Sequence, residues 1–548
     1  MKRSVFVFFI FLFFISCRQK NEIEFFSILT PKTEWKYYDD QNILFSTDLN
    51  SEELYWTSSL DLYLGKGSVI NARLRQGNHE IVLCDKKSGI EVRKNIKVFH
   101  REESALFKCQ LLNINKFLFE STKESFALFS TNGFTNSLNF SVEKNDIAED
   151  NQILKDINVS NRDFNARFLT VKEKSYRSSV SADENKTFYV INTVLQNEAH
   201  KVDCQKIYEN DILIVYIQKG TLEENNVLEK NIENCIEKIT KIIFPRVNVL
   251  WGKMTDLDFN GKVTLVFSKT INDEGMAVGF FNQSDFFENI QDIDDKAYNP
   301  WSNEMDVIYS AFPDGSNLNY TVECICATVA HELTHGINFS KKTFEKIFNG
   351  NQADTMEIFL DEGLSHLSES LCGFGQSGGN VDFVNCYLKE TGNYSFCKGD
   401  LYGQEDSVGR RGAMCLFLYY LFDKAGGMNW DEEGNIVDTG GVLFLRKIIN
   451  SEDYGWNSIG QYFNKHTDLL FKDFCFEVLN FPLKEVFDFT IIDPLTGENL
   501  FACDEISLIT DFDNRQILEY SFFKVEAVKS KSYQILTDDI EGNIYLLY

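Results

Sequence analysis

Apolar residues recur at every fourth position through ECICATVAHELTHGINF, where Ile325, Val329, Leu333 and Ile337 form one stripe. That period predicts a helix with a buried face, and Ala327 and Ala330 keep its flanks small. EIFLDEGLSHLSESL (357–371) predicts a second helix, with Ile358, Leu360, Leu364, Leu367 and Leu371 as its apolar set. NVLEKNIENCIEKITKIIF (226–244) reads as an amphipathic helix between two strands, DILIVYIQKG and KVTLVFSKT. MDVIYSAF (305–312) reads as a further strand, at the edge of that sheet or inside it. RRGAMCLFLYYLFDKAGG (410–427) adds another apolar helix.

The flanks carry a different period. NILFSTD, ELYWTSS, INARLRQGNHEIVLCD and EVRKNIKVF alternate apolar and polar residues between Gly-rich breaks, the pattern of a small antiparallel sandwich. YWTSSLDLYLGKGSVINARLRQGNHEIVLCD resembles an immunoglobulin-like bacterial adhesion or spacer module, with Trp56 as its core tryptophan and His79 as a turn residue rather than a ligand. FALFSTN and LNFSVEK suggest further strands before a polar stretch that reads as a linker or propeptide-like segment. EISLITDF, ILEYSFFKVEAV and IEGNIYLLY read as strands of a closing β region. The expected fold class is therefore multidomain. A β-sandwich over 18–105 is followed by a β-rich region and linker over 106–185. An α+β domain then covers 186–480, and a C-terminal β domain covers 481–548.

Composition fits a large protein outside the cytoplasm. The 548 residues are 43% hydrophobic and 14% aromatic, ample for several cores. A net charge of -28 excludes nucleic acid as a partner, since phosphates would repel it. Lys2 and Arg3 precede the apolar run VFVFFIFLFFIS and then Cys17, followed at once by polar RQKNE. This resembles a bacterial lipoprotein signal over 1–17, with Cys17 as the lipidated residue; an ordinary secretory signal or an uncleaved anchor are the alternatives. The expected address is the bacterial cell envelope, reached through a lipid anchor that tethers the chain to a membrane without spanning it. Twelve further cysteines are scattered too widely for a disulfide scaffold and read mostly as buried thiols.

The chemistry is concentrated on the first helix. His331 and His335 stand four apart, so both imidazoles lie on one face and can hold one Zn²⁺. Glu332 beside them can take the proton of the attacking water as general base. A third ligand is needed. Lys341 occupies the place of one candidate histidine, which leaves Asp361, Glu362 and His366 on the second helix. Glu362 is preferred, because a carboxylate keeps zinc electrophilic and the adjacent Gly363 allows close helix packing. Asp361 would then orient a ligand histidine from behind. The competing reading makes these residues an ordinary half-buried polar face and a solvated acidic one.

HELTHGINF (331–339) followed by FLDEGLSHLSE (359–369) resembles the gluzincin metallopeptidases, and most closely the hyicolysin group of bacterial secreted and surface proteases. KTFYVINTV (186–194), LWGKMTDLDFNGKVTLVFSKTIN (250–272), GMAVGFFNQSDFF (275–287) and NEMDVIYSAF (303–312) are similar to segments that precede the HExxH helix in that group. The helix over 410–427 is similar to the one after its glutamate ligand. The resemblance covers roughly 186–480, about half the chain. It implies a zincin fold, zinc on His331, His335 and Glu362, and Glu332 as the base. It also implies protein or peptide substrates. No P-loop motif competes for the chemistry.

Two smaller features complete the picture. Asp256, Asp258, Asn260 and Gly261 form the opening half of a calcium loop, but Phe267 stands where the closing glutamate belongs. The segment reads as a Ca²⁺ site of structural kind or, with better support, as a tight polar turn. An oxyanion stabiliser is also expected. His366, one turn beyond Glu362, comes first, then Tyr394, Tyr402 and Arg411. The function expected is that of a zinc endopeptidase. A surface-binding, adhesin-like lipoprotein with an inactive zincin fold is the alternative.

Overall fold

A computed structural model describes residues 26–31, 37–39, 43–49, 51, 53–99, 109–112, 116–120, 125–130 and 138–144. It also describes 183–480 except 196, 223–225, 352 and 432, and then 492–499, 515–518, 520–526, 532–537 and 544–547. The apolar leader and Cys17, the polar stretch before residue 183 and the strand expected at EISLITDF lie outside the described residues. Among the described residues no helix is long and apolar enough to cross a membrane. The chain divides into two compact units. One comprises Met1–Asp39 and Leu44–His100, the other Asp40–Ile43 and Arg101–Tyr548.

The first unit is all β. Five strands pair in the order Tyr37–Tyr38, Glu91–Phe99, Gly77–Asp85, Leu54–Ser58 and Leu62–Lys66, and three more in the order Ile28–Thr30, Ile43–Thr47 and Val69–Ala72. Period-two alternation sets which residues face inward. Leu54, Trp56 and Ser58 are buried on one strand, and His79, Ile81, Leu83 and Asp85 on its neighbour. Trp56 packs edge-on to Phe45 at 5.5 Å between ring centroids and donates from Nε1 to Gly67 O at 2.9 Å. His79 is a strand residue, not a turn residue. It falls in register with Ile81 and Leu83, and burial is met by Ser58 Oγ at 2.7 Å and Arg75 O at 2.6 Å.

The second unit is organised around a six-stranded sheet. Its order is Asn185–Ile191, Ala199–Glu209, Leu213–Gln218, Val263–Phe267, Val307–Ser310 and Gly279–Phe281. The first three strands form an antiparallel meander. The next two join in parallel, and Gly279–Phe281 closes the edge antiparallel to Val307–Ser310. MDVIYSAF is thus an interior strand. All four residues of Val307–Ser310 are buried, as expected where both neighbours and both faces are covered. The edge strand was hidden because it is three residues long and opens on a glycine.

Helices cover this sheet. Asn226–Lys238 continues through a π turn, Ile239–Ile243, into Phe244–Leu250. Val322–Phe339 begins where Thr321 caps Cys324 N at 3.2 Å, and its stripe of Ile325, Val329, Leu333 and Ile337 is buried throughout. Ile358–Leu371 packs on it, and Val408–Lys424 packs on Ile358–Leu371.

The β-rich flanks read as two regions share their sheets. Cys109–Leu112, Lys116–Glu120, Ser125–Ser130 and Leu138–Lys144 pair with Arg515–Ile517, Phe522–Glu526, Ser532–Thr537 and Ile544–Leu547 in two four-stranded antiparallel sheets. Residues before and after the central sheet therefore build the same two sheets. Local periodicity predicts such strands but carries no information about partners this distant in sequence.

Candidate metal centre

The helix Val322–Phe339 carries His331 and His335 on one face, one turn apart, so their Nε2 atoms meet at 3.0 Å. The helix Ile358–Leu371 brings Glu362 opposite. Its Oε2 lies 3.5 Å from His331 Nε2 and its Oε1 3.6 Å from His335 Nε2. One donor atom from each of His331, His335 and Glu362 falls within 4.8 Å of the others. Gly363 does allow a close helix, but that helix is Val408–Lys424: a Cβ at Gly363 would lie 2.9 Å from Leu418 Cδ2 and 3.1 Å from Met414 O.

Behind each histidine stands a carboxylate. Asp361 Oδ2 is 3.0 Å from His335 Nδ1, while its Oδ1 accepts from Asn338 Nδ2 at 2.7 Å. Glu369 Oε1 is 2.6 Å from His331 Nδ1 and 3.0 Å from His366 Nδ1. Sequence reasoning anticipated Asp361 in this place and missed Glu369. The available signal was spacing: Glu362, His366 and Glu369 lie at successive turns of one helical face.

The charges hold one another. Burial opposes a charged His331 ring, but the Glu362 and Glu369 carboxylates beside it outweigh that and hold its pKa well above the usual histidine value. Burial likewise opposes His335, yet Asp361 and Glu362 bring it up to about 9. Burial alone would raise Glu362; the two histidines instead hold it well below the carboxylate range. Burial, the largest influence on His366, pushes its pKa down. Glu362 Oε2 is buried with no hydrogen-bond partner. Two imidazole nitrogens and a carboxylate oxygen with an unsatisfied buried atom fit a zinc ion, which would displace the ring protons and take over this balance.

Glu332 points from the same helix into a cleft of about 700 Å³, lined also by His331, His335, Glu362, His366 and Arg411. Its Oε2 accepts from Phe281 N at 2.9 Å, which ties the carboxylate to the sheet edge. Gly279 makes this approach feasible. A Cβ there would lie 2.6 Å from Tyr309 O and 2.7 Å from Thr328 Cγ2 on the helix. Ala311 N bonds Val278 O at 2.8 Å, so the alternate residues Gly279 and Phe281 turn their peptide groups to the open side. With Phe281 N–H taken by Glu332, that side offers the N–H and C=O of Gly279 and the C=O of Phe281.

The remaining expected residues are placed differently. His366 and Arg411 line the cleft, and Arg411 holds Asp406 through Nη2 at 2.6 Å. Tyr394 and Tyr402 do not line it: the Tyr394 ring lies over Gly409, and Tyr402 is 86% exposed. In the DxDxNG turn, Asp256 accepts from Asn260 N at 3.1 Å and Gly261 N at 2.9 Å, and Asn260 Nδ2 donates to Asp258 at 2.8 Å. The third acid near Asp256 and Asp258 is Asp306, which the sequence reading did not include, and Asn260 is committed to the turn. Burial, then repulsion from Asp258, raises the Asp306 carboxyl well above the usual range. These bonds describe a tight polar turn.

A neutral metalloprotease of Staphylococcus hyicus, ShpI, is 24% identical to this chain over 256 residues, covering 46% of this chain and 54% of that protein. The likeness supports a metallopeptidase family. The match spans about half the length of this relative, and no family model matches the chain.

Proposed function

We propose that the chain is a zinc-dependent endopeptidase that hydrolyses peptide bonds of proteins at the cell envelope or outside the cell. The observation that carries this reading is the convergence of His331, His335 and Glu362 beside Glu332 in one cleft. The distant likeness to ShpI supports the same chemistry. His331, His335 and Glu362 hold the ion, a gluzincin arrangement of the hyicolysin type on a zincin fold. Zinc bound there supplies Lewis acidity, polarising the scissile carbonyl and acidifying a water.

The rest is done by the chain. An extended substrate pairs with the open side of Gly279–Phe281, which leaves its backbone across the cleft. Glu332, held by Phe281 N–H, takes a proton from the attacking water at its carboxylate and delivers it to the leaving nitrogen. Arg411 is a cleft group able to donate to the developing oxyanion, whereas a neutral His366 with its hydrogen on Nδ1 is not. The N-terminal unit, all β, is read as an immunoglobulin-like module. Nothing at the site favours the adhesin-like alternative.

Digestion of a casein-type protein tests the activity. Hydrolysis should vanish with a chelator and return with added zinc. A preparation loaded with zinc that cleaves no such protein would sink the reading.

The address rests on Lys2, Arg3, the apolar run and Cys17. Cys17→Ala should release or mislocalise the protein, as read by membrane fractionation. Unchanged membrane association of that variant would reject the lipoprotein assignment.

A further inference from the structure

Glu369 is the cleft acid to which the functional reading gives no task. It lies two turns beyond Glu362 on Ile358–Leu371 and is 4% exposed. Burying a carboxylate is costly unless its charge is met by donors. Here one oxygen, Oε1, meets two of them: His331 Nδ1 at 2.6 Å and His366 Nδ1 at 3.0 Å. An ionised carboxylate only accepts, so each Nδ1 must carry its hydrogen. A single oxygen thereby sets the tautomer of two imidazoles. It leaves both Nε2 atoms as the free positions. His331 Nε2 is the atom beside His335 and Glu362, and His366 Nε2 is buried without a partner, 4.0 Å from Glu362 Oε2.

The neighbouring chain is shaped to admit this carboxylate. A Cβ at Gly378 would overlap Glu369 Oε2 and come within 3.0 Å of Ala327 Cβ on the HExxH helix. Space alone accounts for that glycine, since its φ is not among the left-handed ones. Any larger residue would push the carboxylate off the two rings.

We propose that Glu369 is a positioning residue. It locks His331 and His366 with Nδ1 protonated, so that His331 presents its Nε2 lone pair to the zinc ion, and Gly378 supplies the clearance that lets one oxygen reach both rings. The proposal rests on the zinc reading above. It adds a residue that never touches metal or substrate yet sets how tightly the metal is held. Outer partners of ligand histidines are typically worth 10–100-fold in metal affinity.

The test uses the full chain with Glu369→Gln and Gly378→Ala. The first removes the charge; the second keeps the charge and displaces it. Zinc affinity is measured by competition with a chromophoric chelator, alongside thermal melting of the zinc-free proteins. Both variants should bind zinc about 10–100-fold more weakly than wild type while the zinc-free forms still melt cooperatively. A purely structural role would lower the melting temperature and leave the affinity alone. Variants that bind zinc within twofold of wild type overturn the proposal and leave the peptidase reading standing. Loss of the folded zinc-free state in both variants also overturns it, since Glu369 would then serve the fold. A wild-type chain that binds no zinc overturns the peptidase reading itself.

Discussion

Glu332→Gln should abolish most peptide hydrolysis while leaving the fold and the zinc content near wild type. The substitution is nearly isosteric, and the glutamine carbonyl can still accept from Phe281 N–H, the bond that holds Glu332 to the sheet edge at 2.9 Å. What disappears is the ability to take a proton. No neighbour replaces it. Asp361 is committed to His335 and Asn338, and Glu369 to His331 and His366. Positioned acid–base catalysis is worth about 10²–10⁴-fold, and the loss should fall at or beyond that range. The measurement is turnover of a protein substrate set against metal content of the same preparation. A variant that keeps its zinc and more than about a tenth of wild-type turnover would remove Glu332 from the mechanism.

The parts of this site that the sequence made legible are those written within one helical turn. The stripe Ile325, Val329, Leu333 and Ile337 fixes which face of the helix is buried, and so fixes that His331 and His335 flank it together. Glu362 and Asp361 were reachable by the same reasoning, because ligand chemistry restricts which side chains can complete the site. Glu369 was harder to read: its contact to His366 lies within its own helix, but the one to His331 depends on how one helix crosses another and on a glycine at 378 that looks like an ordinary loop residue. The edge strand escaped for a related reason: Gly279–Phe281 is defined by its pairing with Val307–Ser310 and has too few residues for a period of its own. His79 shows the opposite failure. Its polarity suggested a turn, whereas the alternation of its strand put it inside, with Ser58 and Arg75 O as the compensating partners. The shared β sheets of the two flanks lie beyond any local pattern, because their partners are separated by the whole central sheet and its helices.

The largest effect on metal is expected at Glu362. Its two oxygens sit 3.5 and 3.6 Å from the histidine nitrogens, and Oε2 is buried without a hydrogen-bond partner. A buried anion in that state is stable only beside cations. Protonated His331 and His335 supply the positive charge when no metal is bound. Zinc supplies it when the rings are neutral. Glu362→Ala removes the anion and leaves two imidazoles, whose protonated forms would then repel each other. Metal binding should weaken by more than the 10–100-fold typical of outer partners, and hydrolysis should fall with it. Glu362→Asp should recover little, because the shorter arm withdraws the carboxylate from both nitrogens. Metal analysis after equilibration at limiting zinc reads the result directly. Near-full zinc with wild-type activity in Glu362→Ala would transfer the third position to Asp361 or His366. The geometry argues against Asp361, which faces His335 from the Nδ1 side, away from the shared Nε2 atoms.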